Sequence, residues 1–128
     1  MLKQLEQLGT LEELKHYKCK AISLSDSLPT LGIRVYHHET PGLRWTLYFM
    51  GVYYYQGPIF WTGANFFEAP KEISFDVWRR VNPNISDMRL EQVNKLFPVC
   101  MLEIAPQPIL IACTGVSVST QEIYPNQR

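Results

Sequence analysis

Three groups of residues could do chemistry. His37, His38 and Glu39 stand consecutively before a Pro41-Gly42 turn and could offer imidazole and carboxylate groups to a metal or a proton transfer. Adjacent side chains of an extended segment point to opposite faces, so only His37 and Glu39 would share a side, and His16 is distant in the chain. The expected role is a solvated pair beside a turn. Glu68, Glu72 and Asp76 could supply paired carboxylates for acid–base work. Their simpler role is to complement the positive end of a helix dipole. Cys19, Cys100 and Cys113 are odd in number and lack metal-ligand spacing. No G-x-S-x-G elbow, Walker loop or G-x-G-x-x-G fingerprint occurs. The sequence offers no catalytic residue, metal ligand set or cofactor, and the reading leans away from an enzyme.

What remains is the chemistry of a surface. Trp45 to Phe67 holds ten of the chain's sixteen aromatic residues and no Asp, Glu, Lys or Arg. A stretch this apolar belongs in a core, an interface or a pocket wall. Read as one long strand, Leu43 to Tyr55 alternates. Trp45, Leu47, Phe49, Tyr53 and Tyr55 fall on one face, and Thr46, Tyr48, Met50, Val52 and Tyr54 on the other. The purely apolar Trp45, Leu47 and Phe49 suit the core. Tyr48, Met50, Val52 and Tyr54 combine apolar bodies with hydroxyls and a flexible thioether, which suits a surface covered on binding. Phe60 and Trp61 extend that candidate surface.

The function expected on these grounds is that of a non-enzymatic interaction protein, accessory, regulatory or inhibitory, meeting a protein partner or a second copy of itself. The formal net charge of zero removes repulsion between copies. The alternative is a pocket protein or small enzyme enclosing an apolar small molecule. Exposed aromatics can also stack the bases of single-stranded nucleic acid. The aromatic stretch lacks basic residues, however, and only Arg34, Arg44, Arg79 and Arg80 stand in nearby elements, so nucleic acid is not an expected partner.

Composition bounds these readings. With 128 residues, 46% of them hydrophobic and 19% charged, the chain predicts one globular domain over 1–119 and a polar tail over 120–128. The apolar run from Leu47 to Tyr55 falls short of the ~20 residues a membrane-spanning helix needs. Its N-terminus is charged and amphipathic rather than a signal peptide, which with the cysteine usage predicts a reducing, cytoplasmic compartment.

The elements that would carry the surface follow from periodicity. Leu2, Leu5, Leu8, Leu11 and Leu14 predict an amphipathic helix over 2–17, with Gly9 as a break and Thr10 and Glu13 as a capping box for a fresh start. Strands are expected over 19–24, 31–38, 43–55 and 59–67, the last interrupted near Gly63, with a loop over 25–30. Ser74 and Ser86 would cap helices over 75–81 and 87–97. A symmetric hairpin of 99–104 and 109–119 would set Cys100 directly opposite Cys113. The fold class is α+β: a curved antiparallel sheet of five or six strands, an N-terminal helix, and a two-helix insertion before the last hairpin.

Overall fold

The computed structural model describes residues 2–24 and 29–121. It has the expected α+β architecture, with antiparallel strand pairs throughout the described residues, a helical N-terminal segment, and a helix pair inserted before the last strands. Residues 25–28 of the expected loop and 122–128 of the expected tail lie outside the described residues.

The leucine-rich start forms two short pieces rather than one helix: a 3-10 helix, Leu2–Gln7, and a single α-helical turn, α1, Leu11–Leu14. Gly9 between them has φ 140°, a conformation open to glycine but not to helical residues. The capping box then forms as the spacing requires. Thr10 Oγ1 accepts the Glu13 N–H at 3.2 Å, and Glu13 Oε2 accepts the Thr10 N–H at 2.7 Å. That backbone donor holds the Glu13 carboxyl below its usual pKa. Leu5, Leu8 and Leu14 are buried.

The described residues form nine strands: β1 (Lys18–Leu24), β2 (Thr30–Tyr36), β3 (Arg44–Met50), β4 (Tyr54–Gln56), β5 (Phe60–Thr62), β6 (Phe67–Glu68), β7 (Cys100–Leu102), β8 (Ile109–Ala112) and β9 (Gly115–Gln121). They divide between a five-stranded sheet, ordered β5-β1-β2-β3-β9, and a four-stranded sheet, ordered β4-β8-β7-β6. The expected long strand over 43–55 is therefore two strands in different sheets. Gly51 makes the corner at φ 60°, and any Cβ placed there would run into Thr114 Oγ1. The opposing chain turns with it, so 109–119 also splits into β8 and β9. Thr114 N–H donates to Met50 O at 2.9 Å and Tyr53 N–H to Ala112 O at 2.8 Å, which keeps the two chains paired across the corner.

A second glycine, Gly63 at φ 121°, separates β5 from β6 and sends those strands to different sheets as well. β7 and β8 pair Cys100 with Ile111 and Leu102 with Ile109, a shift of two residues from the symmetric hairpin. Ile104 and the prolines at 106 and 108 belong to the connection, where proline has no N–H to give a ladder. An even shift preserves the face, so Cys100 and Cys113 still meet, but diagonally, and both are unbridged.

α2 (Lys71–Val81) begins four residues earlier than the Ser74 cap implied, directly after Pro70. Ser74 lies inside the helix, fully buried, where its Oγ accepts the Val99 N–H at 3.2 Å. α3 (Asp87–Leu96) is capped as expected, with Ser86 Oγ accepting the Arg89 N–H at 3.2 Å.

One apolar core fills the space between the sheets and includes Ile33, Leu47 and Phe49 facing Cys100, Ile109 and Ile111. A second lies between the other face of the four-stranded sheet and the helices, with Met101 and Leu110 against Val77, Trp78 and Leu90. The layers are thus five-stranded sheet, four-stranded sheet, helix pair.

Candidate functional site

Among the described residues, no helix lies over the outer face of the five-stranded sheet. In β2 and β3 the side chains alternate: Leu31, Ile33, Val35, Trp45, Leu47 and Phe49 are buried between the sheets. The opposite set is unevenly open: Thr46 is itself buried and Arg34 and Tyr36 are half-buried, and among the described residues no helix packs over them. Tyr48 and Met50 are each 37% exposed there, and Phe60 on the edge strand is 67% exposed.

Register assembles this face from residues far apart in the chain. Phe60, Lys20, Arg34 and Thr46 form one cross-strand row. Thr62, Lys18, Tyr36 and Arg44 form the next. Tyr48 stands opposite Gly32 on one side and Ser117 on the other, neighbours that leave its ring uncrowded. The five strands contain no Asp or Glu, and their four basic residues, Lys18, Lys20, Arg34 and Arg44, all belong to the outward set. Lys20 Nζ lies 5.3 Å from the centre of the Phe60 ring, a cation–π contact within the patch. Arg34 Nε is buried without a hydrogen-bond partner. Among the described residues the acidic side chains belong to other elements, and the helix layer binds its own charges, with Lys71–Glu91 at 2.7 Å and Arg80–Asp76 at 3.0 Å. In a chain of zero net charge, the strands of this sheet thus bring four basic and no acidic residues of their own to one face.

The six residues proposed from the sequence as partner-binding do not form one surface. Tyr48, Met50 and Phe60 are on the open face. Val52 comes after the corner and packs half-buried against the inter-sheet core. Tyr54 packs half-buried against the helix-side core, its hydroxyl accepting from Arg80 Nη1 at 3.0 Å. Trp61 turns inward from the edge strand and donates its indole N–H to Gly63 O at 2.8 Å. With Phe60, Pro58, Ile104, Pro106 and Pro108 it lines an apolar groove of about 700 Å³ beside the edge strand. Lys18, Lys20, Arg34, Tyr36 and Arg44 complete the open face, and the Lys-Cys-Lys and Arg-Val-Tyr alternations around buried Cys19 and Val35 are their trace in the sequence.

The candidate reactive groups gain little. β2 ends at Tyr36, so strand alternation no longer separates His37 from His38. Their rings stack with centroids 5.2 Å apart and 17° between planes, and His16 adds a third ring 5.4 Å from His38. His37 Nδ1 accepts the N–H groups of Glu39 at 3.1 Å and Thr40 at 2.9 Å, which makes it a turn-forming group. Among the described residues no three His, Cys, Asp or Glu side chains are arranged to hold a metal ion. Burial pushes the Cys19 thiol up to about 12, and hydrogen bonding to Cys113 together with burial raises that of Cys100. Neither is an activated thiolate. Asp76 is paired with Arg80.

Comparison of the chain with protein-family models, curated proteins and solved structures finds no match in any of the three. The function has to be argued from the site.

Proposed function

We propose that the protein is a non-enzymatic binding module that recognises a negatively charged macromolecule on the outer face of its five-stranded sheet. The carrying observation is that five strands contribute four basic and no acidic residues to a face that also exposes Tyr48, Met50 and Phe60. Aromatic and apolar groups supply contact area, while the cations set the sign of the partner and speed its approach. A second copy of the chain meets this face poorly, because stacking it on itself sets cations against cations. The groove beside Phe60 and Trp61 supports the reading of an apolar small-molecule site, its volume lying within the range of such sites. It lacks the charged groups that distinguish the sheet face. None of the described helices is long and apolar enough to cross a membrane. Three unbridged cysteines support a reducing, cytoplasmic setting for this binding.

Two charge-matched variants test the proposal on immobilised heparin at low salt. Lys18→Glu combined with Lys20→Glu alters the sheet face, whereas Arg79→Glu combined with Arg89→Glu alters the helix layer by the same net charge. The wild-type protein and the helix variant should be retained and the sheet variant should pass through. Identical elution of both variants would remove the open face as the site.

A further inference from the structure

We infer that the anionic partner is a single-stranded nucleic acid, an inference that rests on the proposed use of the open sheet face. A purely electrostatic site needs only cations. Here the cations stand beside aromatic rings: Phe60 ends the row that holds Lys20 and Arg34, and Tyr36 stands between Lys18 and Arg44. Tyr48 lies one strand and two residues from Arg34, beside the bare backbone of Gly32. A single strand presents the complementary pattern, phosphates along one side and unpaired bases along the other. Lys and Arg neutralise the first, and aromatic side chains on a sheet stack the second.

A duplex fits less well. Its bases are already stacked on one another, and a sheet laid flat enters neither groove, so the rings would have nothing to bind. An acidic peptide satisfies the cations but has no use for rings standing between them. Antiparallel strands about 4.8 Å apart make this face roughly 20 Å across, room for a few nucleotides rather than a long tract. Three rings match the two or three bases that a sheet of this size can stack. The basic side chains come from β1, β2 and the first residue of β3, outside the aromatic stretch, which is why that stretch taken alone lacks the phosphate contacts such binding needs.

Fluorescence anisotropy with a labelled oligo(dT) 12-mer tests the inference, run beside the oligo(dA)·oligo(dT) duplex and a polyglutamate of matched charge. The single strand should bind more tightly than either. Its affinity should fall about 20- to 50-fold between 50 and 200 mM salt, as three or four phosphate contacts imply for single strands. Tyr48→Ala and Phe60→Ala should each weaken it about 5-fold or more, the low end of one stacked base, while Tyr48→Phe, which keeps the ring, retains most of it. Both side chains are exposed, so thermal melts of the variants should match the wild type.

Equal binding of all three polyanions, unaffected by the two alanine variants but lost in the Lys18→Glu, Lys20→Glu double variant, would overturn the nucleic-acid inference and leave the anionic-partner reading standing. Tighter binding of polyglutamate than of the oligonucleotide would point to an acidic protein instead. Absence of binding to any of the three at 50 mM salt would remove both.

Discussion

The chain passes directly from one sheet to the other at β3–β4, β5–β6 and β8–β9, yet the two sheets are covered differently. In the four-stranded sheet, every residue of β7 and β8 is buried, because the other sheet closes one face and the helix pair the other. In the five-stranded sheet, β3 buries Trp45, Thr46, Leu47 and Phe49 and leaves Tyr48 and Met50 partly open. The first pattern leaves no side chain over for recognition. The second leaves an opening around Tyr48 and Met50. Doubly covered strands such as β7 and β8 read as continuous apolar runs, whereas after Gly51 the aromatic stretch passes through half-buried β4 and the edge strands β5 and β6, which leave Phe60 and Phe67 exposed.

The comparison breaks or holds first in stability. Phe49→Ala empties a fully buried site between the sheets and should cost about 3–5 kcal/mol in urea or thermal unfolding. Leu110→Ala, on the helix-side face of the four-stranded sheet, should cost about 2–5 kcal/mol. A near-neutral Leu110→Ala would mean that the helix layer adds no core, and the contrast between the sheets would collapse. Ser74→Ala probes the same layer through a polar contact. Removing the hydroxyl leaves the Val99 N–H buried without its acceptor, at a cost of about 1–3 kcal/mol, and amide exchange at Val99 should quicken accordingly.

Local chemistry was legible in the sequence wherever a residue's neighbours in the chain decide its conformation. The break at Gly9, the Thr10–Glu13 capping box, the Ser86 cap and the burial of Trp45, Leu47 and Phe49 are of this kind. The corner at Gly51 was not legible, since a strand that runs on and a strand that changes sheets share the same pattern up to the glycine. Ser74 has a cap's composition and sequence position, and only the place of Val99 in space makes it an interior acceptor. Alternation separates His37 from His38 only inside a strand, and β2 ends at Tyr36. The positive face was hidden for a different reason: Lys18, Lys20, Arg34 and Arg44 become neighbours only through the pairing order β1-β2-β3, which no local pattern encodes.

The smallest expected stability effect separates the two sheets most sharply. Read along one unbroken strand, Tyr48 and Tyr54 belong to the same face, and both should tolerate alanine. The corner at Gly51 assigns them to different sheets. Tyr54 lies against the helix-side core and its hydroxyl accepts from Arg80, so Tyr54→Ala loses packing and a polar contact together and should cost about 1–2 kcal/mol. Tyr48 stands on the open face opposite Gly32, and Tyr48→Ala should change unfolding by no more than about 0.5 kcal/mol. The effects on binding should run the other way, with Tyr48→Ala weakening oligonucleotide capture and Tyr54→Ala leaving it unchanged in the folded protein. If Tyr48→Ala proved the more destabilising of the two, the face around Tyr48 would be covered in solution and could not serve as a recognition surface.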